Sequence, residues 1–196
     1  MTTALSSAFR YTVLRLRRRV TLDRGTGIPT IRDADGVGFD AFRHLAIAAP
    51  PTDQPAIFAV RFDLARMSFA RNRRLSGWLL PAFAGRPGLR ETCWCVDASG
   101  HRYLNLCEWQ DAESACAFAE SYAMWLMTAR SRPDPPRRVV LEEMTLHTIL
   151  ALGRVTLHGP DHGPENGSGN GSGNGSGNEA GPGVPAGALT SASFRE

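Results

Sequence analysis

The feature that most constrains this chain is a change of apolar period that recurs across residues 57–150. The spacing runs at period two, then helical, then period two twice over, then helical, then period two again. In Ile57-Phe58-Ala59-Val60-Arg61-Phe62-Asp63-Leu64, the side chains of Phe58, Val60, Phe62 and Leu64 share one face, which is a strand pattern. From Ala65 to Phe83 the apolar positions Met67, Phe69, Leu75, Trp78, Leu79 and Phe83 follow helical spacing, with Arg66, Arg71, Arg73 and Arg74 on the wetter side. Pro81 is a point where that helix kinks or ends, and Arg86-Pro87-Gly88 closes it. Leu89–Val96 and Arg102–Trp109 are rich in β-formers. Asp111 caps a second helix, whose inner stripe runs through Ala112, Ala115, Phe118, Ala119, Tyr122 and Leu126. Arg138 to Leu150 alternates as a last strand. Strand, helix, strand, strand, helix, strand is the α+β, ferredoxin-like split βαβ order, a four-stranded antiparallel sheet with both helices on one face. The other face is then bare, and a homodimer through the sheet faces is the expected way to cover it.

The central hairpin decides which side chains meet. Asp97-Ala98-Ser99-Gly100 suits a three-residue loop with Gly100 left-handed, so that Asp97 faces His101 and opposing residue numbers sum to 198. In that register Glu91, Cys93, Cys95, Tyr103, Asn105, Cys107 and Trp109 gather on one surface. A slip of one residue would scatter them.

Outside this unit the chain is less informative. Pro50-Pro51-Thr52-Asp53-Gln54-Pro55 is a turn-forming boundary, which gives an N-terminal extension over 1–54, a domain over 55–153 and a tail over 154–196. The extension is expected to be partly ordered or flexible. Within it Phe9, Val13, Leu16 and Val20 fall at helical spacing, Phe39–Ile47 suits a helix, and Asp33-Ala34-Asp35-Gly36 resembles the opening of a calcium loop but lacks the closing glutamate, so it is expected to be an ordinary turn. The tail holds 11 of the 20 glycines and three Gly-Ser-Gly-Asn repeats over 167–178, a composition that cannot supply a core and is expected to be disordered.

Charge and composition narrow the chemistry. The net charge of +3 comes from residues 1–22, which carry five arginines and no acid, whereas 57–149 is nearly balanced with twelve arginines against ten acids. No clustered basic stripe marks that central region, so nucleic acid is not expected as a partner. The chain has no lysine, which excludes a Schiff base and a Walker-type phosphate lysine. No apolar run approaches the ~20 residues of a membrane span, so no membrane partner is expected. Cys93, Cys95, Cys107 and Cys116 lie in expected strands and a helix without a secreted context, which suits reduced thiols in the cytoplasm. Neither they nor His44, His101, His147, His158 and His162 have metal-ligand spacing, and no metal or cofactor is expected. No nucleophilic triad, no G-x-G-x-x-G and no P-loop is present. His147 is expected to pack on the last strand, and Glu91 and Glu108 to be solvated edges on opposite faces.

Asn105 and Trp109, four apart on one strand, point to the same side. A buried asparagine needs partners for its amide or awaits a ligand, and an unmet group costs ~1–3 kcal/mol. From Phe58 to about Leu150, with Arg86-Pro87-Gly88-Leu89 ahead of the second strand and Leu106-Cys107-Glu108-Trp109-Gln110-Asp111-Ala112-Glu113-Ser114-Ala115 through the third strand and the helix start, the chain resembles the antibiotic biosynthesis monooxygenase group of dimeric α/β-barrel proteins. Asn105-Leu106-Cys107-Glu108-Trp109 is similar to the Asn-x-x-x-Trp strand of the cofactor-free members that oxidise polycyclic aromatic polyketides to quinones. The resemblance implies a phenolic substrate that loses a proton and reduces dioxygen directly, with Asn105 as donor to the phenolate, Trp109 as pocket wall and indole donor, and Tyr103 as a proton relay. Cys93, Cys107, Phe58, Phe62, Trp78, Phe118 and Tyr122 are expected to line the substrate pocket. The chain departs from the quinone-forming pattern at Ala115, where those members carry a tyrosine, and from haem-degrading relatives at Ala119, where they carry a histidine. Polyketide cyclisation, or a non-enzymatic dimeric small-molecule-binding or structural role, is the alternative the same fold leaves open.

Overall fold

The computed structural model describes residues 2–64, 67–129, 131 and 136–157. The elements are α1 (Thr2–Leu16), β1 (Val20–Asp23), β2 (Ile31–Arg32), β3 (Gly38–Ile47), β4 (Ala56–Asp63), α2 (Phe69–Ala84), β5 (Leu89–Asp97), β6 (Arg102–Trp109), α3 (Ala112–Ala119), α4 (Tyr122–Thr128), β7 (Arg137–Glu142) and α5 (Leu146–Leu152). All seven strands belong to one sheet of order β1-β3-β5-β6-β4-β7, with β2 paired to β3, and every pairing between them is antiparallel. The architecture is therefore α+β, as the changes of period suggest, but the expected four-stranded sheet is corrected to one of seven. The three added strands, β1, β2 and β3, come from residues 20–47, in the segment expected to be an extension. Phe39–Ile47 is strand rather than helix, because β3 pairs along nearly its whole length with β5 and supplies Phe39 and Leu45, both fully buried, to opposite faces.

The last expected strand is corrected as well. Pairing with β4 ends at Glu142, Glu143 takes a positive φ of 52°, and a new helix begins after Thr145, whose hydroxyl accepts from the Thr148 N–H. Gly153, at φ 62°, ends that helix in the left-handed cap that favours glycine. His147 thus sits exposed on α5 instead of packing in a strand. Beyond α5 the chain remains ordered to the end of the described residues, since Val155 and Leu157 are buried and the Val155 N–H donates to the Arg32 carbonyl. The Gly-Ser-Gly-Asn repeats lie outside the described residues.

These two corrections have one physical result. Leu146 and Ile149 of α5, with Val155 and Leu157, pack on Ile57, Ala59, Cys93, Cys95, Leu104 and Leu106, the sheet face expected to be bare. Each such side chain contributes roughly 1.5–3 kcal/mol relative to exposure. The expectation of a homodimer through the sheet faces loses its premise, because the chain covers that face with its own residues. On the opposite face, α2, α3 and α4 pack Phe83, Phe118, Met124 and Met127 against Phe58, Val60, Phe62, Tyr103, Cys107 and Trp109. Tyr11 of α1 completes this side with Leu45, Leu80 and Ala84. The approach of α1 to α2 is close enough that a Cβ on Gly85 would overlap the Ser7 carbonyl.

Candidate functional site

The hairpin β5–β6 is built one residue out of the expected register. Gly100 is left-handed at φ 74°, as expected, yet the loop is four residues long because the Asp97 carboxylate accepts from the backbone N–H groups of both His101 and Arg102. Val96 faces Tyr103, Trp94 faces Asn105 and Thr92 faces Cys107, and the pairing regains the sum of 198 only past an irregularity between Leu89 and Glu91. The expected odd-numbered surface is therefore divided. Tyr103, Asn105, Cys107 and Trp109 stay together on the side of α2 and α3, joined by Thr92 and Trp94, while Cys93 and Cys95 turn to the side of α5. Cys93 cannot line the same pocket as Asn105.

The residues kept together form a polar seam in an apolar cleft. Asn105 is 3% exposed. The Thr92 hydroxyl donates to Asn105 Oδ1 at 3.1 Å and lies 3.2 Å from Cys107 Sγ. Burial pushes the Cys107 thiol up to about 12, so it stays protonated and is no nucleophile near neutral pH. The Tyr103 hydroxyl donates to the Gly100 carbonyl at 3.4 Å and also bonds the Asn72 side chain, while burial raises its pKa. Trp109 is 1% exposed, its ring is tilted against Phe118 at a centroid distance of 5.0 Å, and its buried indole N–H has no partner among the described residues. Such an unmet donor costs ~1–3 kcal/mol.

Two small cavities run along this seam. One of about 20 Å³ lies under α2 between Asn72, Ser76, Leu79, Phe83, Trp94 and Asn105. A second of about 10 Å³ lies beside it, between Thr92, Asn105, Cys107, Trp109 and Phe118. Phe83, Trp94 and Asn105 border both. Each is about the size of one water, far below the ~300 Å³ at which pockets for small molecules begin. Among the described residues no carboxylate or imidazole lines either one. The cleft can therefore donate hydrogen bonds to a developing anion but holds, among the described residues, no general base.

Of the expected lining residues, Phe58, Phe62 and Phe118 are buried in the cleft wall with Cys107. Trp78 and Tyr122 are not in it, being 87% and 70% exposed. Trp78 points out because the inner face of α2 runs through Asn72, Ser76, Leu79 and Phe83, and two of those four are polar. Tyr122 is turned outward by a second helix start, where the Ser121 hydroxyl accepts from the Met124 N–H and divides the expected single helix into α3 and α4. Tyr122 stacks on Trp125 at 5.1 Å instead. Thr92, Asn72 and Ser76 complete the seam and were hidden by the wrong register and by the polar positions on α2.

Three charged clusters lie away from the cleft. His44 bridges Glu91 at 2.6 Å and Asp23 at 3.1 Å, and these hydrogen bonds, that to Glu91 above all, raise its pKa to about 9. Glu108, expected to be solvated, is 8% exposed and joins Arg90 Nε at 3.1 Å to the Leu146 N–H at 2.8 Å at the start of α5. Glu91 and Glu108 are cross-strand partners and so share a face, contrary to expectation. Asp33 and Asp35 bind Arg61, and Asp35 also binds Arg137, so both carboxylates of the calcium-like turn are occupied by arginine. Among the described residues no group of three or more His, Cys, Asp or Glu could hold a metal ion, and no helix is long and apolar enough to cross a membrane. The chain matches no family model, no curated protein and no solved structure.

Proposed function

We propose that the cleft between the sheet and α2–α3 binds an aromatic phenol, and that the protein oxidises it with dioxygen without a cofactor. The observation that carries this reading is the buried Trp109 indole N–H, which has no partner among the described residues, on the cavity wall it shares with the buried Asn105 amide. Buried donors without partners are most useful where charge develops during reaction. In the reaction the substrate loses a ring proton, the carbanion adds to dioxygen, and the peroxide collapses with cleavage of its O–O bond to give quinone and water. One oxygen atom enters the product and the other leaves in water. Asn105 donates to the phenolate and Trp109 to the peroxide, with Tyr103 and Asn72 at the far end of the seam. With no carboxylate or imidazole among the described residues that line the cleft, the first proton leaves to solvent, and the site acts by stabilising the anion. Leu79 and Phe83 must swing away to admit a ring.

An oxygen electrode tests this with the full chain and an anthrone or naphthol. The expected result is uptake of one dioxygen per quinone formed, abolished by Asn105→Ala and kept by Trp78→Ala. The small size of the two cavities favours a second reading, a non-enzymatic binding module in which the same cleft opens for a ligand but no oxygen is consumed. Binding without uptake would select it, and product formed without uptake would instead select a cyclase.

A further inference from the structure

The pairing of β3 with β5 shifts between Ala41 and Arg43, leaving Phe42 between the two paired residues. Irregularities of this kind re-aim side chains. Phe42 enters the cleft, edge-on to Phe69 at 5.3 Å and to Tyr103 at 6.2 Å. Arg43 follows it, with its guanidinium carbon 5.8 Å from the Phe42 ring and 5.7 Å from the Trp94 ring. Its Nη1 donates to Ser76 Oγ at 3.0 Å and its Nη2 to the Arg73 carbonyl at 3.1 Å, which fixes the guanidinium against α2. Phe42, Ser76 and Trp94 all line the 20 Å³ cavity, so Arg43 stands at its outer wall.

On the outer side of Arg43 lies an open hollow of about 540 Å³, lined by Arg43, Phe69, Ala70, Arg73, Arg74 and Gly77. Gly77 forms part of its floor, where a Cβ would lie in ordinary contact with Arg43 Nη2 at 3.5 Å. Among the described residues three guanidinium groups line the hollow and no carboxylate does. Among the described residues none of the three forms an ion pair. Burial, and then the neighbouring charge of Arg73, lower the pKa of Arg43. A half-buried cation next to another cation is costly until an anion joins them.

We propose that the ligand of the cleft is an aromatic carboxylic acid whose ring enters between α2 and the sheet and whose carboxylate is held in the hollow by Arg43, aided by Arg73 and Arg74. The planar guanidinium fork matches a carboxylate, and the aromatic faces of Phe42 and Trp94 continue the path inward. This inference rests on the reading of the cleft as an aromatic site.

Calorimetric titration of the full chain with naphthol, hydroxynaphthoate and inorganic phosphate tests it. Hydroxynaphthoate should bind at least about tenfold more tightly than naphthol, an advantage that shrinks severalfold in Arg43→Gln and in the exposed-site variant Arg74→Gln. Arg74 is exposed on α2 and takes no part in the packing of the cleft, so Arg74→Gln keeps the test independent of the folding of Arg43→Gln. Equal affinity for the two aromatics would overturn the carboxylate inference and leave the aromatic cleft standing. An advantage that survives Arg43→Gln/Arg74→Gln, or phosphate binding as tightly as hydroxynaphthoate, would overturn it as well. No binding of either aromatic would overturn both readings.

Discussion

At the scale of single residues, Thr92 is the hinge of the polar seam, because one hydroxyl serves both Asn105 and Cys107. Thr92→Val keeps the shape but leaves the Asn105 carbonyl oxygen unmet, so urea unfolding should report a loss of about 1–3 kcal/mol, and Thr92→Val/Asn105→Leu should recover part of it. Equal stability of the wild type and Thr92→Val would mean that the hydroxyl is not needed. His44 gives the chain a pH-dependent tie between β1 and β5. Its folded pKa of about 9 lies above the ordinary 6.5, so its stabilising contribution is complete below about 6.5 and is lost as pH rises through 9. The stability difference between wild type and His44→Gln should therefore be largest near pH 6 and nearly vanish above pH 10. A difference that is flat across that range would contradict the ion pairs. Asn105 and Trp109 were legible in the sequence as same-side residues of one strand, since alternation alone fixes that. Their neighbours were not, because register depends on the Asp97 carboxylate, which lengthens the loop by holding two backbone N–H groups.

At the scale of elements, the strand positions of β4, β5 and β6 were readable from period two and turn residues, whereas the start of α5 was not. Residues 138–150 alternate well enough to pass for a strand, and only the Thr145 cap and left-handed Gly153 mark half of that run as helix. The inner face of α2 was misjudged for a related reason: it is part polar, so counting apolar residues chose Trp78 over Asn72 and Ser76. The contact of α1 with α2 yields a sharp expectation. Gly85→Ala places a Cβ on the Ser7 backbone, so α1 must shift, at a cost of roughly 1–3 kcal/mol. Limited proteolysis should then cleave the Arg-rich end of α1 faster than in wild type. An unchanged cleavage rate would show that the helix pair adapts without moving.

At the scale of the whole molecule, one chain encloses both faces of its sheet, and this changes what the fold says about function. The sequence pattern of residues 57–150 left one face bare because the elements that cover it begin after Glu142, where a strand was expected, and because β2 and β3 come from a segment that looked peripheral. A cleft lies on one face and a closed core on the other, with the walls of the two cavities supplied by this chain. The four cysteines report each region separately: Cys107 sits under α2–α3, Cys93 and Cys95 under α5, and Cys116 is exposed. The most direct measurement is maleimide labelling of the native protein, read by mass at each cysteine over a roughly thousandfold dilution. Cys116 alone should react, and protection of Cys93, Cys95 and Cys107 should be independent of protein concentration. Labelling of Cys93 and Cys95 that rises on dilution would show that a partner copy, not α5, covers that face, and would contradict enclosure by one chain.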